Sequence, residues 1–560
     1  MIKNIKFTQY RKLKDLDFNF CKGVNILSGT NGTCKSSILH LISNSFQAVT
    51  ASANRCPWVN NNQCLKVIRA VNNVVNPKVE TLTRGDKKYN DPAFGIKGNL
   101  FTVEYTDGYT LNFRRHISKT ITGTRYAVKP SYGVGKKESL PYAPVIYLGL
   151  SQLFPYGEYN NDDAIRKLNT RLPDEYQKEI SELYHKFTGL NVGYIDSHSQ
   201  KMGDIKIRSE FETDSIGVDS NTISAGEDNL YIIITSLISL KYYYQSISHN
   251  NDVESVLLID ELDATLHPSF QIKLMELLNT FSNEYKIQII FTSHSLSLLE
   301  DALKKKYNVA YLIDNINSVK KMEDPDIYKI KMNLNQLIRD QLYINRSIPV
   351  FSEDNEARIF LNLIFDNFTY NHTTTFATVR SFFHLVEASL GADNLKGIFN
   401  DRNLLRTTMR SICILDGDRH SQRDLSRYTI TLPGECSPEV LAMQHSKNMF
   451  YADDVFWTHQ DIMDLGYIKT KYRDDILPDI LNISETLNQK IAVGESIKGV
   501  ERELNKNVFD KHKQFFELVL INWIESSINK DSMDKFYNDL RILFLKVAEF
   551  HEINPKMWAE

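Results

Sequence analysis

A chain of 560 residues is longer than one hydrophobic core sustains and implies two or three domains. Its 42% hydrophobic and 24% charged content describes an ordinary globular protein, and a net charge of −3 gives no global pull toward nucleic acid. Six scattered cysteines without a CxxC pair argue against a zinc site or a disulfide framework and fit a reducing compartment.

In chain order, Ile2, Ile5 and Phe7 begin an apolar strand, and 23–28 read as a second strand ending at Gly29. A helix starts near Lys35 and carries Ile38, Leu39, Leu41 and Ile42 at helical spacing. Residues 95–150 alternate polar and apolar in short runs, the pattern of antiparallel strands, closing on Val145-Ile146-Tyr147-Leu148. A charged, helical-looking stretch at about 155–205 reads as a helical insertion. The continuous apolar runs 255–259 and 287–291 fit buried central strands of an α/β sheet. The first twenty residues carry Lys3, Lys6, Arg11, Lys12 and Lys14 and do not read as a signal peptide. No uncharged apolar run suits a bilayer span, so a membrane transporter is excluded and a cytoplasmic location is expected.

Near Arg346 the α/β pattern restarts, with strands at 349–351 and 411–415 and a helix from about Asn355 to Phe365. The segment 432–439, with two prolines and a glycine, marks a rigid turn entering a helix. The expected division is 1–345, 346–440 and a helical region 441–560.

The chemistry concentrates first at Gly29-Thr30-Asn31-Gly32-Thr33-Cys34-Lys35-Ser36, followed by Ser37. A strand feeding a glycine-rich loop and a helix start aims backbone N–H groups at phosphate oxygens. Lys35 is placed to reach the β- and γ-phosphates, and Ser36 to ligate Mg²⁺. Cys34 stands where the P-loop pattern expects glycine, and the added Cβ predicts ATP binding with slow turnover. Asp260 and Glu261 end an apolar strand; Asp260 suits Mg²⁺, and Glu261 suits orienting or deprotonating the attacking water. Arg11 reads first as a solvated surface arginine, with an approach to the nucleotide from the first strand–turn as the alternative reading.

Together with Ser224-Ala225-Gly226-Glu227 upstream, and with Asp263 and His294 downstream, these motifs resemble the ABC-type ATPases over residues 1–345. The likeness is to the branch that contains the SMC proteins, RecF and the OLD family. The resemblance implies an ATP- and Mg²⁺-dependent head that forms a homodimer, or a higher oligomer, through its nucleotide sites. Ser224, Gly226 and Glu227 would then be the signature that meets the γ-phosphate held by the other protomer. Asp263 would be the dimer-interface aspartate, His294 the switch histidine and Gln152 a metal-sensing glutamine.

Further along, Glu353 follows a strand and Asp416-Gly417-Asp418 follows another. Three carboxylates at strand ends make a hard-metal site of the kind Mg²⁺ prefers. This pattern resembles the TOPRIM domain, here with Asp354 where a glycine usually follows the glutamate. Domain order and the 432–439 turn resemble the ATPase subunit of Septu-type anti-phage systems, including those found in retrons. That likeness implies an HNH-type nuclease subunit as partner, a reverse transcriptase with its RNA/DNA product, and contact with nucleic acid. Two other readings stand beside it: an OLD-like ATP-gated nuclease using its own TOPRIM domain, and a RecF-like DNA-repair ATPase.

Overall fold

The computed structural model describes residues 1–558 except 60, 84–90, 121–122, 134–137, 151–164, 169–170, 194–198, 203–205, 210, 221, 249–253, 408–409, 453, 494–496 and 498. It resolves into two compact units, Met1–Leu337 and Ile338–Glu560. No helix among the described residues is long and apolar enough to cross a membrane.

In the first unit a six-stranded sheet runs in the order Ser318–Lys321, Asn308–Asn315, Val24–Gly29, Ile287–Thr292, Ser255–Ile259, Val145–Leu148. All neighbours pair in parallel except the first two, which form an antiparallel hairpin. Alternation along the strands splits the core between two faces. Leu257, Ile259, Ile289 and Phe291 pack with Leu230, Ile233, Ile234 and Leu237 of the helix Ala225–Gln245. Val256, Leu258 and Ile290 point the other way, onto Ile38, Leu39, Leu41 and Ile42 of the helix Lys35–Ser43. That second core is shared with a five-stranded antiparallel sheet ordered Leu13–Asn19, Ile2–Tyr10, Asn99–Tyr105, Thr110–Thr120, Gly123–Ser131. Gly29, Asp260 and Ser293 therefore emerge together at the carboxyl end of a parallel sheet, where α/β proteins bind ligands.

Among its described residues, the stretch expected as a helical insertion holds one helix, Asp174–Thr188, flanked in sequence by short antiparallel strands Ile165–Leu168, Ser199–Met202 and Lys206–Ser209. Pro173 fixes the helix start, and Gly189, at φ 77°, ends it in a left-handed cap. The helical periodicity extends no further than those two residues.

The second unit is built on a four-stranded parallel sheet ordered Phe383–Leu385, Ile348–Ser352, Ile412–Leu415, Thr429–Thr431. Helices from the end of the chain share its core rather than standing apart. Trp523 meets Phe360 of the helix Asn355–Asn371 edge-on at 5.8 Å, and Trp558 lies against Phe376, Phe383 and Phe544.

Candidate nucleotide site

The P-loop is shaped by three left-handed or open backbone positions. Gly29 has φ 141°, and a Cβ there would lie 2.2 Å from the Leu312 carbonyl oxygen, so no side chain fits. Gly32 has φ 79°. Cys34, the residue that caps the helix Lys35–Ser43, sits at φ 66°, ψ 21°. That conformation is open to glycine and strained for a residue with a Cβ. Thr33 Oγ1 donates to the Thr30 carbonyl at 2.8 Å and holds the loop closed upon itself, while Asn31 is exposed at its tip.

Lys35 is buried, and its Nζ donates to the carbonyls of Gly29 and Thr30 at 3.0 and 2.9 Å. Burial lowers its pKa, and Asp260, Glu261 and Asp263 act against that fall. Beneath the helix start, Arg11 donates to the buried Ser37 hydroxyl at 2.8 Å, so this arginine braces the P-loop helix rather than standing free in solvent. Ser36, beside Lys35, is half-buried.

Asp260 is buried, with both oxygens engaged: Oδ1 accepts from Thr292 Oγ1 at 2.7 Å and Oδ2 from the Tyr147 hydroxyl at 3.3 Å. Tyr147 in turn meets His40 Nε2 at 3.0 Å. Because the tyrosine proton goes to the carboxylate, His40 carries its own proton on Nε2, and its buried Nδ1 has no partner among the described residues. Burial drives the His40 pKa down to about 4, so the ring is neutral. Thr292, Tyr147 and His40 escaped the sequence reading. Strand register alone would have exposed Thr292, since Ile259 pairs with Phe291 and the next residues are Asp260 and Thr292.

Glu261 adopts φ 53° and donates its backbone N–H to Thr292 Oγ1 at 2.7 Å. Burial, then Asp260 and Asp263, raise its pKa above the ordinary carboxylate value. Asp263 accepts the backbone N–H of His294 at 3.1 and 3.2 Å and so sets the start of the loop after the next strand. His294 has its pKa lowered by burial and by Lys35.

Ser224 begins the 21-residue helix Ala225–Gln245 with a reciprocal cap: Glu227 N–H donates to Ser224 Oγ, and Glu227 Oε2 accepts from the Ser224 backbone at 2.9 Å. A Cβ on Gly226 would meet the Thr265 carbonyl oxygen at 2.5 Å. The signature glycine thus lets the helix start approach the loop that follows Glu261. Ser224 itself is exposed. Gln152 lies outside the described residues.

Residues 24–300 match the family model described as "AAA domain, putative AbiEii toxin, Type IV TA system". The chain carries a P-loop ATPase domain. An uncharacterised protein of Dictyostelium discoideum is 25% identical over 169 residues, 29% of this chain, and the chain spans only 22% of that relative's length. Similar solved structures include the SMC head domain from Thermotoga maritima (13% identity, TM-score 0.29, covering 57% of this chain and 99% of that one). Another is the recombination mediator protein RecF with ATP (13%, 0.30, 57% and 99%).

In the second unit the three expected ligands do not converge. Glu353 and Asp416 are buried and adjacent, with Glu353 Oε1 accepting the Asp416 backbone N–H at 3.1 Å. Asp418 is exposed beside Arg419, because the chain turns into the 3₁₀ segment Gly417–Gln422 directly after Asp416. A Cβ on Gly417 would lie 2.6 Å from the Gly434 carbonyl oxygen, so the 432–439 turn packs on this glycine. The carboxylates are instead met by the helix Val500–Lys511. Arg502 lies 2.8 Å from Asp354, 3.4 Å from Glu353 and 3.9 Å from Asp416, and Lys506 lies 2.6 and 2.8 Å from Asp354 and Glu356. Burial and the neighbouring Glu353 and Asp354 raise the Asp416 pKa. As found, these residues do not fit a divalent ion: protein cations already take the place where it would bind.

Proposed function

We propose that this chain is the ATP-switched regulatory subunit of an anti-phage defence complex whose cutting is done by an associated HNH-type nuclease. Two heads would close on Mg-ATP. Each site would draw Lys35, Ser36, Asp260, Glu261 and His294 from one protomer, with Ser224 and Gly226 of the partner subunit completing it. On binding, Lys35 leaves the carbonyls of Gly29 and Thr30 for the β- and γ-phosphates. Mg²⁺ would be held by Ser36 and Asp260 and would supply charge neutralisation at the phosphates. Glu261 takes a proton from water as its oxygen bonds to the γ-phosphorus and the bond to the β–γ bridging oxygen breaks, releasing ADP and phosphate.

The observation that carries the regulatory role is the engagement of Glu353, Asp354 and Asp416 by Arg502 and Lys506. An OLD-like nuclease would need those carboxylates free for metal. A TOPRIM-like unit whose acids are neutralised within the fold suits a scaffold or docking surface; its parallel sheet, with Glu353 and Asp416 at the ends of adjacent strands, supports that TOPRIM-like reading. The test is direct. Purified full-length protein with Mg²⁺ or Mn²⁺ should leave plasmid DNA intact; cleavage that Asp416→Ala abolishes would overturn the regulatory reading in favour of the nuclease.

A further inference from the structure

At the opposite end of the second unit's sheet lies a basic cleft that the nucleotide chemistry does not use. It sits at the amino ends of the strands Ile412–Leu415 and Thr429–Thr431, whereas Glu353 and Asp416 follow carboxyl ends. The cleft is open, with a volume of about 320 Å³, and four arginines line it: Arg402, Arg406, Arg410 and Arg427. No carboxylate is among its lining residues.

Its arginines are placed by local structure. Asp401 Oδ1 accepts the backbone N–H groups of Asn403 and Leu404 at 2.8 and 3.0 Å and so starts the short helix Arg402–Thr407. Arg402 and Arg406 are then one turn apart on the same side, a spacing at which like charges repel. Arg410 is held by Tyr428 Oη at 3.3 Å and by the Phe550 ring at 5.2 Å, yet its buried Nε has no partner among the described residues. Arg427 donates to Asn400 Oδ1 and lies 3.5 Å from Asp424 Oδ2, while Asp424 Oδ1 accepts from Ser426. Four arginines therefore line one cleft, and among the described residues Asp424 is the one carboxylate within ion-pair distance of them.

We infer that this cleft binds the phosphodiester backbone of a nucleic acid. Guanidinium forks match phosphate oxygens in pairs, and a row of forks spaced by a helical turn suits a repeating anion better than a single one. Asn400, Ser426 and Tyr428 add polar groups that contact sugar and phosphate without reading sequence. The cleft is lined by residues of the second unit and uses none of the nucleotide-site residues, so nucleic-acid affinity and ATP hydrolysis are expected to be separable.

The experiment is fluorescence anisotropy on the full-length chain with labelled single-stranded DNA, single-stranded RNA and duplex DNA across a salt series, comparing wild type with Arg402→Glu/Arg406→Glu. We expect the double variant to bind at least about tenfold more weakly and its salt slope to fall by roughly 1.4–1.8, the release of about two counterions. ATP hydrolysis and melting temperature should be unchanged. Arg402→Lys/Arg406→Lys should keep most of the salt slope while losing affinity, because charge remains and the fork does not. Should the charge reversal fail to fold, Arg402→Gln/Arg406→Gln gives the same reading. The inference is overturned if no wild-type binding occurs at low salt, or if affinity and slope survive the substitutions. It is also overturned if inorganic tripolyphosphate binds in an Arg402- and Arg406-dependent way while no oligonucleotide does.

Discussion

Thr292 Oγ1 donates to Asp260 Oδ1 at 2.7 Å and in the same geometry accepts the backbone N–H of Glu261, so one hydroxyl fixes both acidic residues of the site. Parallel pairing of the two strands makes this possible, since Ile259 lies opposite Phe291 and the chain ends advance in step. Thr292→Val removes the hydroxyl at almost constant volume. We expect ATP hydrolysis to fall about 10- to 100-fold with a raised Mg²⁺ requirement, as when a group that orients a metal ligand is lost. Steady-state hydrolysis at varied Mg²⁺ checks it; an unchanged Mg²⁺ dependence would show that the Asp260 position does not depend on this bond.

Glu261→Gln should bind ATP and hydrolyse it roughly 100-fold or more slowly, accumulating as an ATP-bound dimer. Burial and the neighbouring Asp260 and Asp263 hold the Glu261 pKa above 4.5, so the acid limb of wild-type kcat should lie above that pH and vanish from the variant. Size-exclusion chromatography with ATP and a kcat–pH profile read the two effects. Wild-type turnover in the variant removes Glu261 as the base.

Cys34 departs from the P-loop pattern at a residue whose φ is 66°. Cys34→Gly should relieve the left-handed strain and raise stability by about 1 kcal/mol, and it should speed turnover by freeing the loop to close on phosphate. Thermal melting and kcat are the readouts. A glycine variant that turns over no faster places the slow step elsewhere.

The fully neutral His40 makes a pH signature. Its folded pKa of about 4 lies below the 6.5 of the free side chain, so the unfolded chain binds the extra proton first. The stabilisation is therefore complete above pH 6.5 and is lost as pH falls toward 4; for this largely buried ring it amounts to about 3 kcal/mol. His40→Gln, which keeps a neutral donor toward Tyr147, should flatten that part of the stability–pH curve in denaturant titrations. An equally steep acid limb in the variant would assign the loss to other groups.

The ATPase head was legible because each of its motifs ends a buried apolar strand or begins a helix, and those signals are local. Gly29, Lys35, Asp260 and Glu261 could be placed by reading along the chain. The partners of Asp260 could not, because Thr292, Tyr147 and His40 come from three separate elements and meet only through sheet register and helix packing. Asp418 was misplaced for the reverse reason. Two carboxylates flanking one glycine look alike in sequence, but the turn into 417–422 buries one and exposes the other. Arg502 and Lys506 were invisible for a third reason: they lie about 150 residues from Glu353, Asp354 and Glu356, on a helix whose periodicity gives no hint of its target.

That helix supplies the last prediction. Asp354 is buried between Arg502 and Lys506, and Lys506 also reaches Glu356, so removing the cations leaves carboxylates uncompensated in the core. Losing one partner of a buried pair costs about 3–5 kcal/mol, and the partial exposure of Arg502, 44% of its side chain, reduces this toward about 2. Arg502→Ala should therefore lower the denaturant midpoint of the second unit's transition. The sign of its pH dependence follows from the charges. Without Arg502 the folded-state pKa values of Asp354 and Asp416 rise, so the folded variant holds more protons than wild type. Its deficit should be largest in alkaline buffer and shrink as pH falls and these groups protonate. A deficit that grows toward acid would mean that the arginine acts through packing rather than charge.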